Sequence, residues 1–183
     1  ALVTETPGDD QVTIRCWGRA YRYDRSMLPA SIEAGGIDNV LAGPAQLFIG
    51  DQPIDGASIT VEKQSDVRDE LTATVDDARA TLTNAAWIEY DGVIFNEITI
   101  TAKQNLRDVT LRIPMQAAHA QYGHFASGGF GAGGGKTIPL DQPSTSAFYP
   151  VVWVGDFERG LCWFMEGRAD AATRSAEPIT ITP

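Results

Sequence analysis

Cysteine is nearly missing from this chain. Cys16 and Cys162 are the only two in 183 residues, too few for a disulfide framework. Both stand in apolar, strand-like contexts where a free thiol is at home; a single bridge between the two ends of the chain is the alternative. Histidine is as scarce. His119 and His124 are the only ones and stand five positions apart, whereas two ligands on one helical face stand four apart. No oxygen-rich calcium loop of the D-x-D-x-D-G kind is present, so neither a metal nor a cofactor is expected. Basic charge is short too. Against 24 Asp and Glu there are 14 Lys and Arg, a formal net charge of -10. Nucleic-acid affinity rests on cations that neutralise phosphates, and anionic membrane surfaces attract the same cations. Neither is an expected partner, whereas a neutral glycan is compatible. No apolar run approaches the roughly 20 residues of a membrane span. There is no Asn-x-Ser/Thr acceptor, no G-x-S-x-G elbow and no internal repeat. No signal peptide is present and the first residue is not Met, so the chain reads as a processed or excised part of a longer protein, with no legible localisation.

What is present is strand pattern. Val12, Ile14 and Cys16 alternate with polar neighbours, and at Cys16-Trp17-Gly18 the phase slips to Trp17, Arg19, Tyr21 and Tyr23. A slip at a glycine suggests a bulge. Ala1 to Asp10 reads as a loose lead-in, Asp24 to Gly36 as irregular and Gly50 to Gly56 as a turn. Clean alternation returns at Ala57–Val61 and Leu71–Val75; Ala80 and Leu82 follow, then Trp87 to Tyr90, and Val93 to Thr101 returns. Asp91-Gly92 has the composition of a type I′ hairpin turn. Val109 to Ile113 is a further strand, one short helix is expected over Met115 to Tyr122, and Ile179 to Thr182 is a last strand. Short strands at this spacing predict an all-β fold, an antiparallel β-sandwich of jelly-roll or lectin-like kind with at most one short helix, in a single domain over residues 1–183.

The stretch Phe148 to Glu166 stands out. Two apolar runs, Val151 to Val154 and Leu161 to Met165, flank the polar turn Asp156-Phe157-Glu158-Arg159, with Gly155 and Gly160 on either side. This is a hairpin apolar on both faces, central to a core or covered on its outer side. A four-residue turn sets Trp153 opposite Cys162 and turns the two Trp side chains to opposite faces. A five-residue turn sets Trp153 opposite Trp163 on one face.

Few constellations carry chemistry. Gly129 to Gly134 fits G-x-G-x-x-G and Gly135-Lys136-Thr137 imitates the end of a P-loop, but no helix follows to hold a phosphate. Asp156, Glu158 and Glu166 are the carboxylates nearest the hairpin. Glycoside hydrolysis needs two such groups at a set distance, one with a raised pKa, and a solvated turn is the plainer reading. The aromatics Trp17, Tyr21, Tyr23, Trp87, Tyr90, Trp153 and Trp163 fall on strands or strand ends. There they pack a core or stack on a sugar ring. Trp17, Tyr21, Trp153, Trp163 and Glu166 are the candidate ligand-binding residues; no catalytic residue is assigned.

The segment from Trp153 to Glu166 resembles the W-[LV]-G-x-x-x-R-G-L-x-W-F-x-E stretch in the N-terminal β-sandwich domain of proteins similar to glycoside hydrolase family 123. Other segments agree in order. Trp17-Gly18-Arg19-Ala20-Tyr21 resembles W-G-R-x-Y, and Glu89-Tyr90-Asp91-Gly92 resembles E-Y-D-G. Leu28-Pro29 is followed by Leu41-Ala42-Gly43-Pro44, and Leu111-Arg112-Ile113-Pro114 resembles L-x-I-P. The resemblance implies a non-catalytic sandwich beside a (β/α)₈ barrel whose Asp-Glu pair hydrolyses N-acetylgalactosaminides. It implies a secreted or periplasmic parent. No catalytic residue carries over.

Three functions compete. The first is an accessory domain of a glycoside hydrolase-like protein, with the missing catalytic domain, or a second copy, covering an exposed apolar face. The second is a stand-alone carbohydrate-binding module using the strand aromatics. The last is a small hydrolase acting through Asp156, Glu158 or Glu166, ranked lowest because a turn gives a carboxylate pair little rigid support.

Overall fold

The structure is a computed structural model and describes residues 1–36, 39–126, 135–146, 151–165 and 179–182. Among these it is built almost wholly of antiparallel strands, with one 3-10 turn at Ala117–His119, so the all-β sandwich class holds. The chain forms two compact units, Ala1–Pro114 and Met115–Pro183.

In the first unit, β1 (Val3–Gly8), β2 (Gln11–Cys16), β3 (Arg19–Asp24) and β4 (Ser31–Ala34) make one sheet in that order. A second sheet runs β7 (Ser58–Lys63), β8 (Arg68–Asp76), β9 (Ala80–Glu89), β10 (Ile94–Ala102), again in sequence order. Strand β5 (Gln46–Ile49) lies between β11 (Val109–Arg112) and β6 (Gln52–Pro53) in a third. The first two sheets are meanders of consecutive strands, and in the third β11 returns to the edge of β5. Their inner faces share one core: Val12, Ile14, Tyr21 and Tyr23 from the first, Leu71, Ala73, Val75, Leu82 and Ile88 from the second, Leu47 and Ile49 from the third. Side chains alternate across a strand, so β8 buries Asp69, Leu71, Ala73 and Val75 and half-exposes Arg68, Glu70, Thr72 and Thr74. Each fully buried Leu or Ile stabilises the fold by roughly 1.5–3 kcal/mol.

Two buried polar residues cross-link this core. The Asp69 carboxylate accepts from the Thr4 hydroxyl of β1 and from Ser65 N–H at 2.9 Å. Asn84 Nδ2 donates to Met27 O at 2.7 Å and to Asn96 Oδ1 at 2.9 Å.

Several expectations are corrected. The lead-in is an edge strand, β1, whose residues are exposed except for half-buried Thr4; with no buried face it shows no alternation. The slip at Trp17-Gly18 is a two-residue hairpin turn and not a bulge, since Cys16 pairs with Arg19 and Ile14 with Tyr21. Even positions of β2 therefore face odd positions of β3, and the phase must change. The stretches read as irregular and as turn contain β4 and the two-residue β6. The turn at Asp91-Gly92 is not type I′. Only Gly92 has a positive φ, +92°, and its N–H closes on Glu89 O at 2.9 Å, a three-residue loop ending in a left-handed glycine. The helix expected after Pro114 is only the 3-10 turn, because Tyr122 already belongs to a strand paired on both sides, and that pairing overrides a few helical spacings.

In the second unit, β12 (Tyr122–Ala126) lies between β13 (Gly135–Pro139) and β15 (Val151–Gly155), and β16 (Gly160–Phe164) completes the sheet. Strand β14 (Ser144–Ser146) pairs with β17 (Ile179–Ile181). Strands β12, β13 and β14 are not among the strands that sequence pattern predicts. Gly135 to Thr137 open a strand, so no helix follows the P-loop look-alike; its glycines 129–134 lie outside the described residues. The hairpin has the four-residue turn. Trp153 pairs with Cys162 and Val152 with Trp163, so the two indoles take opposite faces.

Candidate functional site

Two places gather the residues singled out by pattern, one in each unit. In the first unit it is the end where the β2–β3 and β9–β10 turns meet. Gly18 takes φ +66°, which lets two residues reverse the chain. Arg19 follows, and its Nη1 donates to Trp17 O at 3.2 Å and across to Asp91 O at 2.9 Å. Tyr21 donates its hydroxyl to Gly92 O at 2.8 Å. A Cβ on Gly92 would lie 2.7 Å from Arg19 Cδ and 2.9 Å from the Tyr21 oxygen, so only glycine fits. Thus W-G-R-x-Y and E-Y-D-G, some seventy residues apart in sequence, form one clamp. Asp91 Oδ1 also accepts from Val93 N–H at 3.1 Å, and Tyr90 N–H donates to Val67 O at 3.0 Å.

The clamp buries Tyr21 and displays its neighbours. Trp17 is 83% exposed, Tyr90 56%, Val67 60% and Val93 38%. Burial, then the neighbouring Cys16, raises the Tyr21 pKa far above its ordinary range, so the hydroxyl stays a donor. Burial also raises the Cys16 thiol. Both cysteines are free.

In the second unit the site is the hairpin end. Asp156 Oδ1 accepts from the backbone N–H of Glu158 at 2.7 Å and of Arg159 at 2.9 Å, a side-chain-built turn. Its Oδ2 meets His119 Nδ1 at 3.0 Å. His119, then the Glu158 N–H, holds this carboxyl down to about 2 from the ordinary 3.8. An ionised carboxylate can only accept, so Nδ1 carries the proton. Glu158 is exposed and pairs with Arg159 at 2.6 Å, a contact of little energetic weight.

The cross-strand pair Gly155 and Gly160 forms a notch for Trp153. A Cβ on either glycine would collide with the indole. The W-V-G…G pattern of the hairpin is therefore a packing device, an aromatic ring covering opposed strand glycines. The opposite face carries Val152, Val154, Leu161 and Trp163; next to it a Cβ on Gly123 would touch Leu140 at 3.1 Å and Ile181 at 3.5 Å. At the turn Phe157 is 87% exposed, with its ring 4.8 Å from that of Tyr122.

The candidate ligand-binding residues thus divide. Trp17 and Tyr21 share the clamp, one displayed and one buried. Trp153 and Trp163 stand back to back in the hairpin, and Glu166 lies outside the described residues. Trp87, one of the strand aromatics, stacks on Phe95 at 3.9 Å with Arg68 4.3 Å from its ring centre. Sequence reasoning missed Arg19 and Asp91 as a clamp, His119 as the partner of Asp156, and buried Asp69. Only Asp69 carried a signal: it shares the inward phase of Leu71, Ala73 and Val75. Among the described residues no group of three or more His, Cys, Asp or Glu could hold a metal.

No curated protein and no solved structure matches the chain. A family model does: "Glycoside hydrolase 123, third domain", over residues 9–171. The family is the one the motifs resemble, and the matching part is the third domain in place of the N-terminal one. With nearly its whole length matched and the motif segments assembled into one clamp and one glycine-notched hairpin, the chain belongs to the glycoside hydrolase 123 third-domain family.

Proposed function

We propose that this chain serves a glycoside hydrolase-like protein as a non-catalytic β-sandwich domain. The observation that carries this reading is the state of Asp156. Glycosidic cleavage needs a carboxylic acid kept protonated by a raised pKa and a second carboxylate facing it. Asp156 is driven the other way, to about 2, and both its oxygens are engaged, Oδ1 by the N–H groups of the hairpin turn and Oδ2 by His119. Asp76 and Asp77 are also lowered, by Lys103 and by Arg79 respectively. Glu158 sits on the surface against Arg159. These groups act as framework.

The test is hydrolysis of an aryl N-acetyl-β-galactosaminide by the purified chain. The expected result is no turnover above the blank. Turnover that disappears in Asp156→Asn or Glu158→Gln overturns the reading. A second reading, carbohydrate binding, is favoured by one observation: the display of Trp17 and Tyr90 on the clamped turns of the first unit.

A further inference from the structure

We propose that the clamped end of the first unit is a binding site for a neutral glycan, with Trp17 as the stacking platform. The site rests on the carbohydrate-binding reading above, which it narrows to one place and one class of glycan, and it requires no catalysis by this chain. Three features converge on it. The first is the cost of display. An indole at 83% exposure and a phenol at 56% leave large apolar faces in water, where single side chains of this size are usually inside. Val67 and Val93, at 60% and 38% exposure, belong to the same end, since Tyr90 N–H bonds Val67 O and Val93 O accepts from Glu89 N–H.

The second is rigidity. Arg19 and Tyr21 fix both turns through backbone carbonyls, and no clamp bond uses the Trp17 or Tyr90 ring. Rings on a pre-ordered frame bind without first paying for loop ordering. The third is the pattern of polarity. A pyranose presents C–H groups on its faces and hydroxyls around its rim. Here polar groups stand in the same turns as the aromatics: the Arg19 guanidinium, bonded to Trp17 O and Asp91 O, and Asp91, whose second carboxylate oxygen retains acceptor capacity. The net charge of -10 disfavours a polyanionic chain. These together fit a neutral pyranoside chain.

The test is affinity electrophoresis of the full chain in gels containing galactomannan or mixed-linkage β-glucan, with calorimetric titration of cellohexaose and chitohexaose. Binding to at least one is expected. Trp17→Ala should weaken it at least about tenfold and Tyr90→Ala several-fold, the scale of losing an interface anchor. Phe157→Ala, an exposed aromatic of the second unit, should leave it unchanged. Circular dichroism of each variant checks that the fold persists. Binding to none of the four, binding untouched by Trp17→Ala, or binding to heparin in their place overturns the site. So does concentration-dependent dimerisation abolished by Trp17→Ala, since a second copy would then occupy the surface. Aryl-glycoside turnover with glycan binding intact would overturn the non-catalytic reading and leave the site standing.

Discussion

Tyr23 is wholly buried, and its hydroxyl has no hydrogen-bond partner among the described residues. Burying a hydroxyl without a partner costs about 1–3 kcal/mol. Tyr23→Phe removes the hydroxyl and keeps the ring, so the variant should match or exceed the parent in urea denaturation, by up to about 1 kcal/mol. Clear destabilisation would mean that the hydroxyl has a partner. Asp156 gives the residue-scale pH dependence. Its folded pKa lies below its ordinary value, so it stabilises the fold where it is ionised. That contribution is complete above about 3.8 and is lost as pH falls toward 2. Urea midpoints of the parent and of Asp156→Asn should therefore differ at pH 5 and converge toward pH 2. A gap constant over that range would show that the carboxylate charge is irrelevant.

At the scale of elements, the hairpin of β15 and β16 depends on Trp153 lying over Gly155 and Gly160. Gly160→Ala pushes a methyl group into the indole and the Val154 carbonyl, and should cost about 1–3 kcal/mol, the usual range for overpacking. Combined with Trp153→Ala the cost should shrink, because one of the two obstacles is gone. A double-mutant cycle reads this coupling, and strictly additive effects would remove the notch as an explanation. This hairpin was legible in sequence because glycines bracket its apolar runs. The ladder from β7 to β10 was legible because a buried face imposes alternation. Strands β1, β4 and β6 were not, for opposite reasons of the same kind: β1 and β6 bury almost nothing and β4 is uniformly half-buried, so no periodicity marks them. The candidate site was legible in part. Trp17 and Trp153 both read as strand-end aromatics. Their different fates rest on what lies across from them, a clamped turn in one case and a pair of glycines in the other, and pairing partners are not written in local pattern.

At the scale of the molecule, the core that unites the three sheets of the first unit draws its buried members from Leu2 to Ile88, with Leu106 packed against it. All of it lies within Ala1–Pro114. A fragment of residues 1–114 should therefore melt cooperatively and keep its near-ultraviolet dichroism. A fragment that stays unfolded at pH 7 would show that the core needs residues 115–183. The clamp has a consequence at this scale as well. It holds the two turns by their carbonyls, which every amino acid possesses, and leaves positions 17 and 90 uncommitted as to side chain. The frame and the residues it presents can therefore evolve separately. Related chains could exchange Trp17 or Tyr90 for other residues, altering what this end recognises, without renegotiating the fold beneath.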